Sequence, residues 1–158
     1  MIGKCRAWLF AAGVTLLASG CASGPQYSEM AKSIPPLAAD HGRIYFYRTN
    51  MLFGAAIQPQ IKLNDEAVGR SQLGSFFYVD KLPGNYKVTT TTETEEAVTF
   101  KLDAGETKYV RTYATMGVLV YRVVPSLEDE AVGMGRIREL KYSVDNTPAD
   151  QQKWNRQK

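Results

Sequence analysis

Two cysteines and a single histidine among 158 residues set the first limits on what this chain can do. Zinc sites are assembled from several thiolates and imidazoles, and a disulfide framework needs paired cysteines at repeated spacings. Cys5, Cys21 and His41 supply neither, so no metal site, no cofactor and no redox chemistry is expected. A Ser-His-Asp triad would have to use His41, and there is no Gly-x-Ser-x-Gly elbow and no phosphate-cradling glycine loop. The net charge is only +3, with no basic stripe, so nucleic acid is not an expected partner. A membrane-spanning run is missing too. Residues 7–17 are apolar or small except Thr15, but eleven helical residues cover about 16 Å, against the roughly 30 Å of a hydrocarbon core.

What stands at the N-terminus has the order of a secretory signal. Lys4 and Arg6 precede the apolar run, and Ala18, Ser19 and Gly20 provide small residues before Cys21. Leu17-Ala18-Ser19-Gly20-Cys21 resembles the bacterial lipobox, with Ala18 where leucine is common. The resemblance implies cleavage between Gly20 and Cys21 and acyl chains on Cys21. Ordinary signal cleavage after Gly20 is the alternative, but it would leave Cys21 a lone thiol in an oxidising compartment. Two or three acyl chains hold firmly, at about 0.8 kcal/mol per buried methylene. Ala22, in place of aspartate, implies sorting to the outer membrane with the domain facing the periplasm. Lys4 and Arg6 leave with residues 1–20, so the nineteen basic residues become seventeen against sixteen acids.

Residues 21–41 carry three serines, three prolines and a glycine, and read as the lipidated cysteine followed by a flexible linker. A tether of about 20 residues has a root-mean-square reach of roughly 25 Å. Tyr27, Met30 and Ile34 are spaced for a short helical turn.

From Gly42 the composition becomes β-rich. Residues 43–48, 60–63, 67–71, 75–79, 86–92, 98–102, 108–113 and 118–124 read as strands. Asn64-Asp65-Glu66, Pro83-Gly84-Asn85 and Asp103-Ala104-Gly105 separate them as turns. Strands this short and close predict an all-β fold for residues 42–142, an antiparallel β-sandwich or small barrel. One short C-terminal helix is expected, with Ser126 as N-cap and Leu127, Ala131, Met134, Ile137 and Leu140 on one face. Residues 143–158 read as a polar tail.

Several of these runs together carry a family resemblance. They are Ile61-Lys62-Leu63-Asn64-Asp65-Glu66-Ala67-Val68-Gly69, Gly74-Ser75-Phe76-Phe77, Leu82-Pro83-Gly84-Asn85-Tyr86 and Ala104-Gly105-Glu106-Thr107-Lys108-Tyr109-Val110-Arg111. Over about residues 42–142 the chain resembles the bacterial "domain of unknown function 2846" family. The resemblance implies an exported, often lipid-anchored β-sandwich and supplies no activity.

Catalytic candidates are few. Glu93, Glu95 and Glu96 crowd a polar hairpin end, where nothing apolar is available to raise a carboxyl pKa for glycosidase chemistry. Aromatics are the stronger lead, since both faces of the first strand carry them. Tyr45, Tyr47 and Tyr113 are the candidate binding surface; the alternative is that the aromatics form core and rim. The apolar stretch 51–56 is either a contact surface or core. The expected function is a non-enzymatic binding or structural lipoprotein that meets an envelope protein. Peptidoglycan binding is the alternative, and a glycan hydrolase a more distant one.

Overall fold

The computed structural model describes residues 24–144, which form two packed sheets with a partial helical cover. After α1 (Tyr27–Met30) and a 3-10 turn (Ala31–Ser33) come β1 (Gly42–Arg48), β2 (Gln60–Leu63), β3 (Glu66–Arg70), β4 (Ser75–Lys81), β5 (Gly84–Thr91), β6 (Glu95–Leu102), β7 (Thr107–Thr115) and β8 (Arg122–Glu128). The chain ends in α2 (Glu130–Ile137) and β9 (Lys141–Tyr142). The larger sheet has the order β8-β7-β1-β4-β9 and the smaller β3-β2-β5-β6. This is the expected β-sandwich with one short C-terminal helix, and it is not closed into a barrel. The larger sheet is mixed rather than purely antiparallel, because β1 lies parallel to β7 and β4 parallel to β9.

The β2–β3 hairpin turns on two residues. Asn64 and Asp65 both have positive φ, 48° and 68°, which is the type I′ geometry that matches strand twist. Asn64 also extends the sheet: its Oδ1 accepts from the Lys87 amide at 2.8 Å. Gly84, by contrast, has no positive φ and begins β5 opposite Leu102.

Two cores flank the larger sheet. On one face Phe46 stacks on Phe77 at 5.0 Å and meets Ile61, Leu63, Val88 and Leu102 of the smaller sheet. Gly69 permits that close approach, since a Cβ there would lie 2.5 Å from the Phe77 ring. The other face is aromatic. Tyr45 stacks on Tyr109 at 5.6 Å and 7°, with Phe76, Tyr78 and Tyr142 beside them. Burial pushes the Tyr45, Tyr47 and Tyr78 phenols up, and that of Tyr109 up to about 12.

That second face is covered in part by residues expected to be linker. Tyr27 packs on Phe76 at 5.7 Å, and Met30 and Ile34 join the same cluster. Gln26 bridges to Lys141, and the Tyr142 amide donates to the Pro25 carbonyl at 2.8 Å. Arg43 clamps Asp80 through two bonds of 2.7 Å and donates to the Pro35 carbonyl at 3.0 Å. From Gly24 onward, residues read as a flexible tether therefore lie against the domain.

Helix α2 differs from expectation at its start. Ser126 lies inside β8, and Asp129 is the N-cap, because pairing with β7 runs on to Glu128. Its two glycines play opposite roles. A Cβ on Gly133 would lie 2.6 Å from Tyr109 Cβ, whereas one on Gly135 would meet nothing within 4 Å. Gly135→Ala is expected to raise the unfolding free energy by about 0.5–1 kcal/mol through helix propensity. Gly133→Ala is expected to lower it by about 1–3 kcal/mol by prying the helix off the sheet. Urea unfolding of the two variants checks the opposite signs.

Candidate interaction surface

Because β1 and β7 run parallel, the loops that follow them leave the same end of the sandwich. Residues 49–59 and 116–121 contain no Asp, Glu, Lys or Arg. They expose Leu52 (88%), Phe53 (62%), Met116 (76%), Val118 (92%) and Leu119 (87%). The two loops touch through Phe53 and Tyr121, with ring centroids 6.4 Å apart. Residues 118–121 were expected to open a strand. They form the loop tip instead, and β8 begins only at Arg122. A short apolar run does not by itself distinguish a buried strand from an exposed loop.

Both loops are held from beneath by charged groups. Arg48 is 2% exposed and faces carbonyls rather than a carboxylate. It donates to Gly54 at 2.8 Å, Ile57 at 2.6 Å and Ser71 at 3.1 Å. Burial pulls its pKa down from the ordinary arginine value. Gly54, at φ +70°, has room for no side chain, since a Cβ would lie 2.6 Å from Ala114 Cβ. On the other loop the Glu93 carboxylate accepts the Val118 and Leu119 amides, both at 2.8 Å. Glu93 thus serves as a loop clamp. Glu95 pairs with Lys87 at 2.9 Å and Glu96 with Arg122 at 3.3 Å. The three glutamates do not converge on a shared site.

Two of the three tyrosines expected to form a binding surface lie in the core instead. Tyr45 and Tyr47 are 5% and 2% exposed and belong to the aromatic core, because helices and the N-terminal segment cover the face that the sequence left open. Tyr113 is half-buried, with the Arg111 guanidinium carbon 5.3 Å from its ring centre. His41 sits at the domain edge, its Nδ1 2.7 Å from an Asp40 oxygen. Gly20 and Cys21 lie outside the described residues, as does most of the tail. A shallow open dish of about 430 Å³ lies on the smaller sheet, lined by Asn64, Asn85, Tyr86, Lys87, Thr99, Phe100 and Lys101. Among the described residues no helix is long and apolar enough to cross a membrane.

The end loops hold no Asp, Glu, His, Cys, Lys or Arg, so what they offer is apolar area rather than acid–base chemistry. An uncharacterized protein of Haemophilus influenzae (strain ATCC 51907 / DSM 11121 / KW20 / Rd) is 28% identical over 137 residues, which cover 84% of this chain and 81% of the relative. No solved structure matches. Residues 38–124, more than half of the chain and the whole of β1 to β7, match the family described as protein of unknown function (DUF2846), and the chain belongs to that family.

Proposed function

We propose that the chain is a non-catalytic envelope lipoprotein, held at the outer membrane by acyl chains on Cys21, facing the periplasm and acting by contact through its apolar end. The observation that carries the contact reading is the pair of uncharged loops with Leu52, Val118 and Leu119 almost fully exposed. Soluble proteins seldom leave such a cluster without a use for it. The anchor reading is supported by the order of charged, apolar and small residues before Cys21 and by the lack of a partner thiol. A non-catalytic role fits the occupied glutamates.

Expression in a Gram-negative host tests the anchor. The mature chain is expected to begin at acylated Cys21 and to fractionate with outer membranes, and Cys21→Ser to abolish the acyl mass. An intact Met1 or an unmodified sulfur on Cys21 would refute the anchor. The second reading, glycan binding, is favoured by the dish on the smaller sheet, where asparagine, lysine and threonine side chains share one strand face. Retention on purified peptidoglycan supports that reading, and passage through unretained removes it.

A further inference from the structure

We infer that the apolar end is a bilayer-dipping element: the loops 51–56 and 116–121 insert into the lipid surface that carries the anchor. The inference rests on the lipid-anchor reading of Cys21 and adds to it an orientation for the domain.

Three observations point to lipid rather than to a shaped protein partner. The first is composition. Protein interfaces combine an apolar centre with a polar rim that supplies about one hydrogen bond per 100–200 Å². The tips 51–56 and 116–121 carry no polar side chain except the Tyr121 hydroxyl, and the polar groups Thr49, Asn50 and Gln58 stand only at the ends of the 49–59 loop. Large apolar groups projecting from adjoining loops suit a fluid apolar medium, which demands no shape match. The second is backbone satisfaction. Amides that leave water without a partner are costly, and those of Val118 and Leu119, at the tip of the 116–121 loop, are already taken by Glu93. Arg122 and Arg70 stand at the roots of the loops, donating to the Met116 and Gln58 carbonyls, at the depth where phosphate headgroups would lie.

The third is where the anchor enters. Gln26 bridges Lys141, Lys141 pairs with Ser75, and Ser75 pairs with Arg48, the last residue of β1. One row across the sheet thus joins the incoming chain to the start of the 49–59 loop. Cys21 precedes Gly24 by three residues, a span of at most about 11 Å. The bridge is antiparallel, so the chain runs from Gln26 back to Gly24 beside Tyr142, two residues from that row toward mid-strand. Acyl chains on Cys21 therefore hold the domain close to the bilayer, within reach of the end from which the apolar loops project.

The test uses the lipidated protein in vesicles of phosphatidylethanolamine and phosphatidylglycerol containing spin-labelled lipid. Leu119→Cys and, at the opposite end, Lys101→Cys each carry a bimane fluorophore; both side chains are exposed, and the acylated Cys21 sulfur cannot take the label. Bimane at 119 is expected to be quenched several-fold more than bimane at 101 and to shift to the blue. Equal, weak quenching at both positions on a chain with acylated Cys21 overturns the inference and leaves the anchor standing. It would favour a protein as the occupant. Mass spectrometry showing label on Cys21 itself overturns the anchor, and the inference with it.

Discussion

Arg48→Met is expected to lower the free energy of unfolding by about 3 kcal/mol and to loosen the apolar loop that the guanidinium holds. Two effects oppose each other. Methionine keeps much of the aliphatic stem and relieves the cost of a cation buried without a carboxylate. It also removes the donors to the Gly54, Ile57 and Ser71 carbonyls. Hydrogen bonds from a charged group contribute about 1.5–3 kcal/mol each. Two of these three are only partly buried, so water can replace some of them, and the relieved desolvation returns a share of the remainder. The losses still exceed the gain. Arg48→Lys separates charge from geometry, since an ammonium cannot span three carbonyls as the planar fork does, and a loss of about 2 kcal/mol is expected. Urea unfolding gives the free energies, and amide hydrogen exchange across 50–57 reports the loop. Wild-type stability in Arg48→Met would show that packing, not the cation, seats the loop.

The sandwich was largely legible in the chain because period-two alternation and turn chemistry agree along it. Val88 and Thr90 in β5, and Val98, Phe100 and Leu102 in β6, point inward as their spacing requires. The hairpin at Asn64-Asp65 forms where a turn cluster interrupts two strands. What the alternation does not specify is which face meets solvent. Tyr45 and Tyr47 share β1 with Ile44 and Phe46, and all seven residues of that strand are buried. Aromatics on both faces of one strand are the signature of a central strand covered twice, and the second cover had to come from outside the β region. It comes from Tyr27, Met30 and Ile34, whose helical spacing is visible beneath the serines and prolines around them. Residues 118–121 misled in the opposite direction, since β-branched and apolar side chains normally mark a strand. Here Gly117 breaks the run, where a Cβ would clash with the Val120 carbonyl and with Glu93. The surface that best fits a function is therefore the one that looks most like core in the sequence.

Replacing Tyr27, Met30 and Ile34 together by alanine is expected to destabilise the domain by roughly 3–5 kcal/mol, where the same change in a free tether would cost nothing. A fully buried large side chain loses about 2–5 kcal/mol on truncation to alanine. These three are half-buried, so each contributes only part of that, and alanine's high helix propensity in α1 returns a little more. The Tyr27 ring also leaves its tilted contact with Phe76, which exposes the aromatic face of the larger sheet. Thermal and urea unfolding measure the loss, and the near-ultraviolet circular dichroism of the tyrosine cluster is expected to change with it. The consequence reaches the membrane. If residues 24–34 are docked, the span between Cys21 and folded structure is three residues, so the domain has no freedom to stand about 25 Å off as a 20-residue tether would allow. A triple variant as stable as the wild type would restore that freedom and remove the geometric reason for the apolar loops to meet lipid.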